Sequence, residues 1–193
     1  MGIRIQNLIG TRSFYKRVFM LAIPVMIQGF ITQFVSLIDN IMVGQLGALP
    51  IAAVSISNTI FFIMNLAVFG SISGAEIFGA QFYGKREYQQ QAHAFWMKMY
   101  FALFIGLTVI FLLFVAYRPI ISLWLHDTPE NMAITLDLCK QYMFVMFLGI
   151  PFYCVSQSIV STLKESGKTI VCMESALLAL MVNLCLDYVL IFG

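Results

Sequence analysis

Residues 18–42 read VFMLAIPVMIQGFITQFVSLIDNIM. From Val18 to Ile38 the run carries no Asp, Glu, Lys or Arg. At a 1.5 Å rise per residue, about 20 apolar residues cross a hydrocarbon core of about 30 Å, so this run can span a membrane as one helix. It then meets a carboxylate, Asp39. An ionisable group at membrane depth is costly unless it is partnered or faces water, and such a residue marks a functional site by default.

The rest of the chain repeats the pattern. Gly47 to Ala75, Met99 to Tyr117 and Gln141 to Leu163 are also free of Asp, Glu, Lys and Arg, while Thr169 to Gly193 is as long but holds Glu174 and Asp187. Strand alternation is missing and the runs are far longer than barrel strands, which selects helices over a β-barrel. The fold class expected is therefore an all-α integral membrane protein with five transmembrane helices, at about 18–42, 51–78, 95–117, 139–163 and 169–193. Residues 1–17 form a short basic segment, expected at the cytoplasmic surface near anionic lipid.

Composition agrees. Of the 193 residues 61% are hydrophobic and 10% charged, and the mean hydropathy is +0.90. An ordinary soluble domain is about 45–50% apolar and about 25% charged. A net charge of +2 is too small to suggest nucleic acid.

Lys and Arg set the orientation. Arg4, Arg12, Lys16 and Arg17 precede the first span, Lys85, Arg86 and Lys98 lie between the second and third, and Lys164 and Lys168 lie between the fourth and fifth. The segment 44–50 has no charge, and the one from His126 to Lys140 is mainly acidic. Nine of the eleven basic residues thus fall on one side, read as cytoplasmic. That places the N-terminus, 84–98 and 164–168 inside, and 44–50, 118–140 and Gly193 outside, in a multi-pass protein of the plasma or inner membrane. The first run is too long for a signal-peptide core and reads as a retained signal-anchor. Gln6 breaks the myristoylation pattern after Gly2. Cys139, Cys154, Cys172 and Cys185 show no metal or disulfide spacing and read as packing residues, with no metal centre expected.

Counting from the inner ends puts Asp39 about 30 Å and Asp187 about 27 Å along their helices, at matching depth. Asn183 lies four residues before Asp187 and shares its face. Two carboxylates close together at low dielectric titrate as a unit, which makes a proton carrier. Alternatively, two carboxylates and an amide oxygen suit a small hard cation such as Na⁺. The plain alternative is that each acid reaches the outer interface.

Pro24 in the first span, 38–47 (IDNIMVGQLG), 79–87 (GAQFYGKRE), 149–152 (GIPF) and 183–193 (NLCLDYVLIFG) together resemble the MATE multidrug and toxin extrusion transporters of bacterial type, over essentially the whole chain. The resemblance implies two six-helix lobes around a central cavity, of which these five helices form most of the N-terminal one. It implies export of cationic or amphiphilic compounds in exchange for H⁺ or Na⁺, with no other cofactor and no enzymatic activity. The family's site in this lobe pairs an Asp on the first helix with Asn-x-x-x-Asp on the fifth, which maps onto Asp39, Asn183 and Asp187. Pro24 matches a first-helix proline that lets that helix bend when the acid is loaded. The chain stops at Gly193, before a sixth helix and a second lobe, so it is expected to be part of a longer protein or else to associate with another copy.

Other polar residues carry weaker expectations. Asn58, Asn65 and Gln157 line the cavity or bond across helices. Tyr142 either donates to the acid site or sits in an interfacial aromatic belt. Glu76 reads as interfacial, solvated or paired with Lys85 or Arg86, and Glu174 as locally paired or reaching the interface. A membrane prenyl transferase would need clustered acids for Mg²⁺ and phosphate, which the sequence lacks. A lipid-linked flippase, the competing transporter class, would be expected to carry basic residues in its cavity, and none is expected inside a span. The exported compound, and H⁺ against Na⁺, are left open.

Overall fold

The computed structural model describes residues 10–45, 47–124 and 129–192. Five α-helices account for nearly all of them: α1 Arg12–Gly44, α2 Ala48–Gly84, α3 Tyr88–Ser122, α4 Pro129–Glu165 and α5 Thr169–Phe192. All five are long and apolar enough to cross a membrane. In hydrocarbon the backbone must satisfy its own hydrogen bonds, and helices do so. Arg4, Gln6, His126, Asp127 and Gly193 lie outside the described residues.

Turn chemistry marks the helix ends. After α2, the Glu87 amide donates to the Phe82 carbonyl at 2.9 Å while Arg86 sits at φ 63°, a left-handed position usually given to glycine. Gly167, at φ 71°, supplies the same conformation between α4 and α5 without a side-chain penalty.

Helices α1 to α4 run past the spans read from charge. Arg12, Lys16 and Arg17 belong to the first turns of α1, not to a segment before it. Residues 129–140, read as part of an outer loop, open α4. Charged residues there sit on helix surfaces with local partners: Gln141 Nε2 donates to Asp137 Oδ2 at 2.7 Å, and Lys140 lies 5.8 Å from the centre of the Tyr117 ring. A charge limits the hydrocarbon-crossing part of a helix, not the helix.

Proline acts unequally. Helix α1 continues through Pro24 and α4 through Pro151. Helix α3 breaks at Ala116, with φ −125° and ψ 27°, three residues before Pro119. A proline ring clashes with the preceding turn and removes one of its hydrogen bonds.

The chain divides into two units: residues 37–166, and residues up to 36 together with 167–193. In the first, α2, α3 and α4 pack on one another. The buried face of α2 is a single stripe, Ala53, Ser57, Ile60, Met64, Val68, Ile72, Ala75 and Gly79, at intervals of three or four residues. Small residues face it: Ala94, Ala102 and Gly106 on α3 and Cys154 and Ser158 on α4. A Cβ on Gly106 would overlap the Cys154 sulfur, so these two helices touch at van der Waals range. Where lipid is as apolar as the side chains, such close backbone approach supplies the packing energy. Buried hydroxyls are satisfied within their helices, as where Ser57 donates to the Ala53 carbonyl at 2.8 Å and Ser158 to that of Cys154 at 3.0 Å. Cys139, Cys154 and Cys172 are buried packing residues, whereas Cys185 is exposed.

In the other unit, α5 keeps one less exposed stripe, Thr169, Cys172, Ala176, Leu180, Asn183 and Asp187. Its opposite face, with Leu178, Met181, Leu186 and Tyr188, is open and apolar, as lipid contact requires. Glu174 is exposed.

Candidate cation site and a buried ion pair

Asn183 and Asp187 lie one turn apart on the sheltered face of α5. Asn183 Oδ1 and Asp187 Oδ2 are both shielded from solvent and have no hydrogen-bond partner. A buried acceptor left without a donor costs about 1–3 kcal/mol, more when it is charged. Two such acceptors lie one turn apart on one face of α5. On α1, Pro24, Gln28, Ile31, Val35 and Asp39 recur at intervals of three or four along the less exposed side. Pro24 is buried, Asp39 is half-buried with a shielded Oδ1, and Gln28 Oε1 is a third shielded acceptor with no hydrogen bond. Gln28 escaped the sequence reading, although its spacing from Pro24 and Asp39 put it on their stripe. Asp39 falls in the unit of residues 37–166, and Asn183 and Asp187 fall in the other.

The cavity candidates separate. Gln157 and Asn65 line a cleft between α4 and α2. Asn58 and Tyr142 are half-buried on α2 and α4. Glu76 is not an isolated interfacial group, because it shares the Gln157 cleft with Ser161 and Lys164.

The expectation that no basic residue enters a span needs correcting. Lys98 has an exposure of 0%, enclosed between α3 and α4. Its Nζ donates to Glu165 Oε1 at 2.5 Å, Thr162 Oγ1 at 2.8 Å and Ser161 Oγ at 3.1 Å, so all three ammonium protons are used. Ser161 Oγ also lies 3.3 Å from Glu165 Oε1. Two turns nearer the start of α3, Gln91 Nε2 donates to Ser166 Oγ at 3.0 Å. Charge counting along the sequence assigned Lys98 to a loop. The residues Gln91, Ala94, Lys98, Ala102 and Gly106 repeat at intervals of three or four, and that periodicity was the available signal. Because Glu165 neutralises Lys98 at contact distance, the lysine offers no free positive charge for a lipid phosphate.

The Glu165 carboxylate presses against Gly79, where any Cβ would overlap it. Gly79→Ala is therefore expected to destabilise the α2–α4 bundle by about 1–3 kcal/mol, the usual cost of overpacking. In a Lys98→Met, Glu165→Ala background, which removes the carboxylate without stranding a charge, the same change should be nearly neutral. Detergent-solubilised unfolding curves for the four variants test it, and an equal effect in both backgrounds would refute the contact.

Comparison with known sequences bears on what these helices belong to. The MatE family matches residues 24–189, most of the chain and all five helices. The chain belongs to the MatE family. It is 26% identical over 174 residues to the "Probable multidrug resistance protein NorM" of Idiomarina loihiensis, covering 88% of this chain and 36% of that protein. It is 28% identical over 184 residues to the "Multidrug export protein MepA" of Staphylococcus saprophyticus, covering 94% of this chain and 39% of that protein. This MatE chain thus spans little more than a third of the length of the relatives it matches. No solved structure matches it significantly. Family membership and the five apolar helices make it a multi-pass membrane protein.

Proposed function

We propose that this segment forms the cation-coupling part of a multidrug exporter, working with a second lobe of the length seen in its relatives. The observation that carries the reading is the pair of shielded, partnerless acceptors Asn183 Oδ1 and Asp187 Oδ2 on one face of α5. The names of the NorM and MepA relatives, a probable multidrug resistance protein and a multidrug export protein, support drug export as the task. Asp39, Asn183 and Asp187 bind the coupling ion, H⁺ or Na⁺, and cationic or amphiphilic compounds are the cargo. Hard oxygen ligands fit Na⁺, and the shielded Asp187 Oδ2, which has no hydrogen bond, is open to a proton. The orientation that follows from the basic residues has the N-terminus in the cytoplasm.

A transporter of the relatives' length carrying this segment, reconstituted in vesicles, tests the reading. Export of a cationic dye should rise when an inward H⁺ or Na⁺ gradient is imposed and stop when both are collapsed. Dye movement indifferent to both gradients would rule the reading out.

Pro24 enters through the geometry of α1. Asp39 lies fifteen residues further on, roughly 22 Å along the helix, so a bend at Pro24 moves the segment bearing the carboxylate. A bound ion shifts such an equilibrium only through unequal affinity for the two shapes. Pro24→Ala should leave dye binding intact and slow its ion-triggered release. Release at the parental rate would return Pro24 to a packing role.

A further inference from the structure

The cleft between α2 and α4 is polar where a membrane bundle would ordinarily be dry. Six of its ten lining residues are polar: Asn65, Glu76, Tyr153, Gln157, Ser161 and Lys164. On α4, Tyr153, Gln157, Ser161 and Glu165 follow one another at four-residue spacing, a polar ridge along one face. Across from it, Asn65 and Glu76 lie eleven residues apart on α2, about 16 Å along the axis, which matches the separation of Tyr153 and Lys164 on α4. The cleft therefore runs lengthwise, from mid-helix towards the helix ends that carry the α2–α3 turn.

Two features separate it from a packing defect. A second cavity in this bundle, between α2, α3 and α4, is lined by Ser57 and nine apolar side chains, so the bundle can make a dry gap where it needs one. The Tyr153 hydroxyl is shielded and has no hydrogen bond of normal geometry, although the Asn65 and Gln157 amides lie beside it. Three polar groups thus converge on one shielded hydroxyl at the mid-helix end of the cleft, within reach of a shared water. The cleft holds about 60 Å³, room for about four or five waters. Its charges are balanced: Glu165 is spent on Lys98, and Glu76 and Lys164 line opposite walls. A neutral, polar, narrow cleft of this size suits water and a small hydrated cation, and has no volume for a drug.

We propose that the α2–α4 cleft is an aqueous crevice through which water and the coupling cation reach the mid-level of the bundle, ending at Asn65, Tyr153 and Gln157. The cation part rests on the proposed function. Hydration of the crevice does not.

Thiol accessibility tests it on the full chain in lipid bilayers. With the exposed Cys185 replaced by serine, cysteines placed at 65 or 157 should react with a membrane-impermeant, positively charged thiol reagent at least about tenfold faster than one at 152, because only a hydrated thiol ionises to the reactive thiolate. Phe152, on the same helix as Gln157, is 78% exposed and lies outside the polar cleft, near the exposed apolar Leu148. Rates at 65 and 157 no faster than at 152 would overturn the crevice. Should the variants fail to fold, water-edited solid-state NMR on the unsubstituted chain reads the same property. Fast magnetisation transfer from water to Asn65, Tyr153 and Gln157 is expected, and transfer no faster than to Phe152 overturns it. A dry cleft beside gradient-driven export would remove the crevice and leave the proposed function standing. A wet cleft beside gradient-independent export would do the reverse.

Discussion

Replacing Lys98 with alanine is expected to unfold the α2–α4 bundle in mild detergent, or to lower its stability by about 3–5 kcal/mol, the usual result of stranding one member of a buried ion pair. The reason lies in the accounting at Glu165. Its side chain is 5% exposed, its Oε1 depends on Lys98, and its Oε2 is shielded with no hydrogen bond of its own. Without the lysine the carboxylate must protonate, draw in water or force the helices apart. Glu165→Ala should be as damaging, since it leaves an ammonium with two hydroxyl acceptors and no counter-charge. The double variant Lys98→Met with Glu165→Leu should recover most of the loss, because replacing an entire buried pair by apolar groups is often neutral or stabilising. Denaturant titration of the parent, Lys98→Met, Glu165→Leu and the double variant measures the coupling. Additive losses in the double variant would mean that the two side chains do not meet.

The second large effect concerns the acids. In a transporter of the relatives' length, Asp187→Asn and Asp39→Asn are each expected to abolish gradient-driven export while leaving membrane insertion unchanged. Coupling is a free energy shared by two ligands, and a site that can no longer take the ion contributes none of it. An amide keeps the size and much of the hydrogen-bonding capacity of the carboxylate, so loss of export would be due to charge and titration rather than shape. Asn183→Ala removes a neutral acceptor from the same face of α5, and its export should fall less. Parental export in both acid variants would end the assignment.

The helices were legible because hydrocarbon imposes a length and forbids charge, so uninterrupted apolar runs announce themselves. Their ends were less legible. Lys140 and Asp137 interrupt a hydropathy profile without interrupting a helix, since each finds a partner along the surface. Lys98 was misread for the same reason: a charge near the end of an apolar run looks like a loop residue until the side chain buried against it, sixty-seven positions further on, is known. Nothing local to Glu165 announces that partner. At the candidate site, Asp187 and Asn183 could be read from their four-residue spacing, and α5 presents them on its sheltered face as that spacing requires. Gln28 was within reach of the same argument but has no charge to draw notice. Pro119 shows the opposite failure, a proline beyond the expected span whose effect on the backbone at Ala116 exceeds that of Pro24 on α1.

Ion displacement by cargo tests the central claim most directly. If Asp39, Asn183 and Asp187 form the coupling site, adding a cationic substrate to the purified, unbuffered transporter near neutral pH should release protons, or release Na⁺ when the protein has been loaded with it. Linkage requires that an ion which drives cargo off is itself driven off by cargo. The Asp187→Asn protein should bind the substrate and release neither ion. A transporter that binds cargo and displaces neither ion, or an Asp187→Asn variant that releases as much as its parent, would contradict the account.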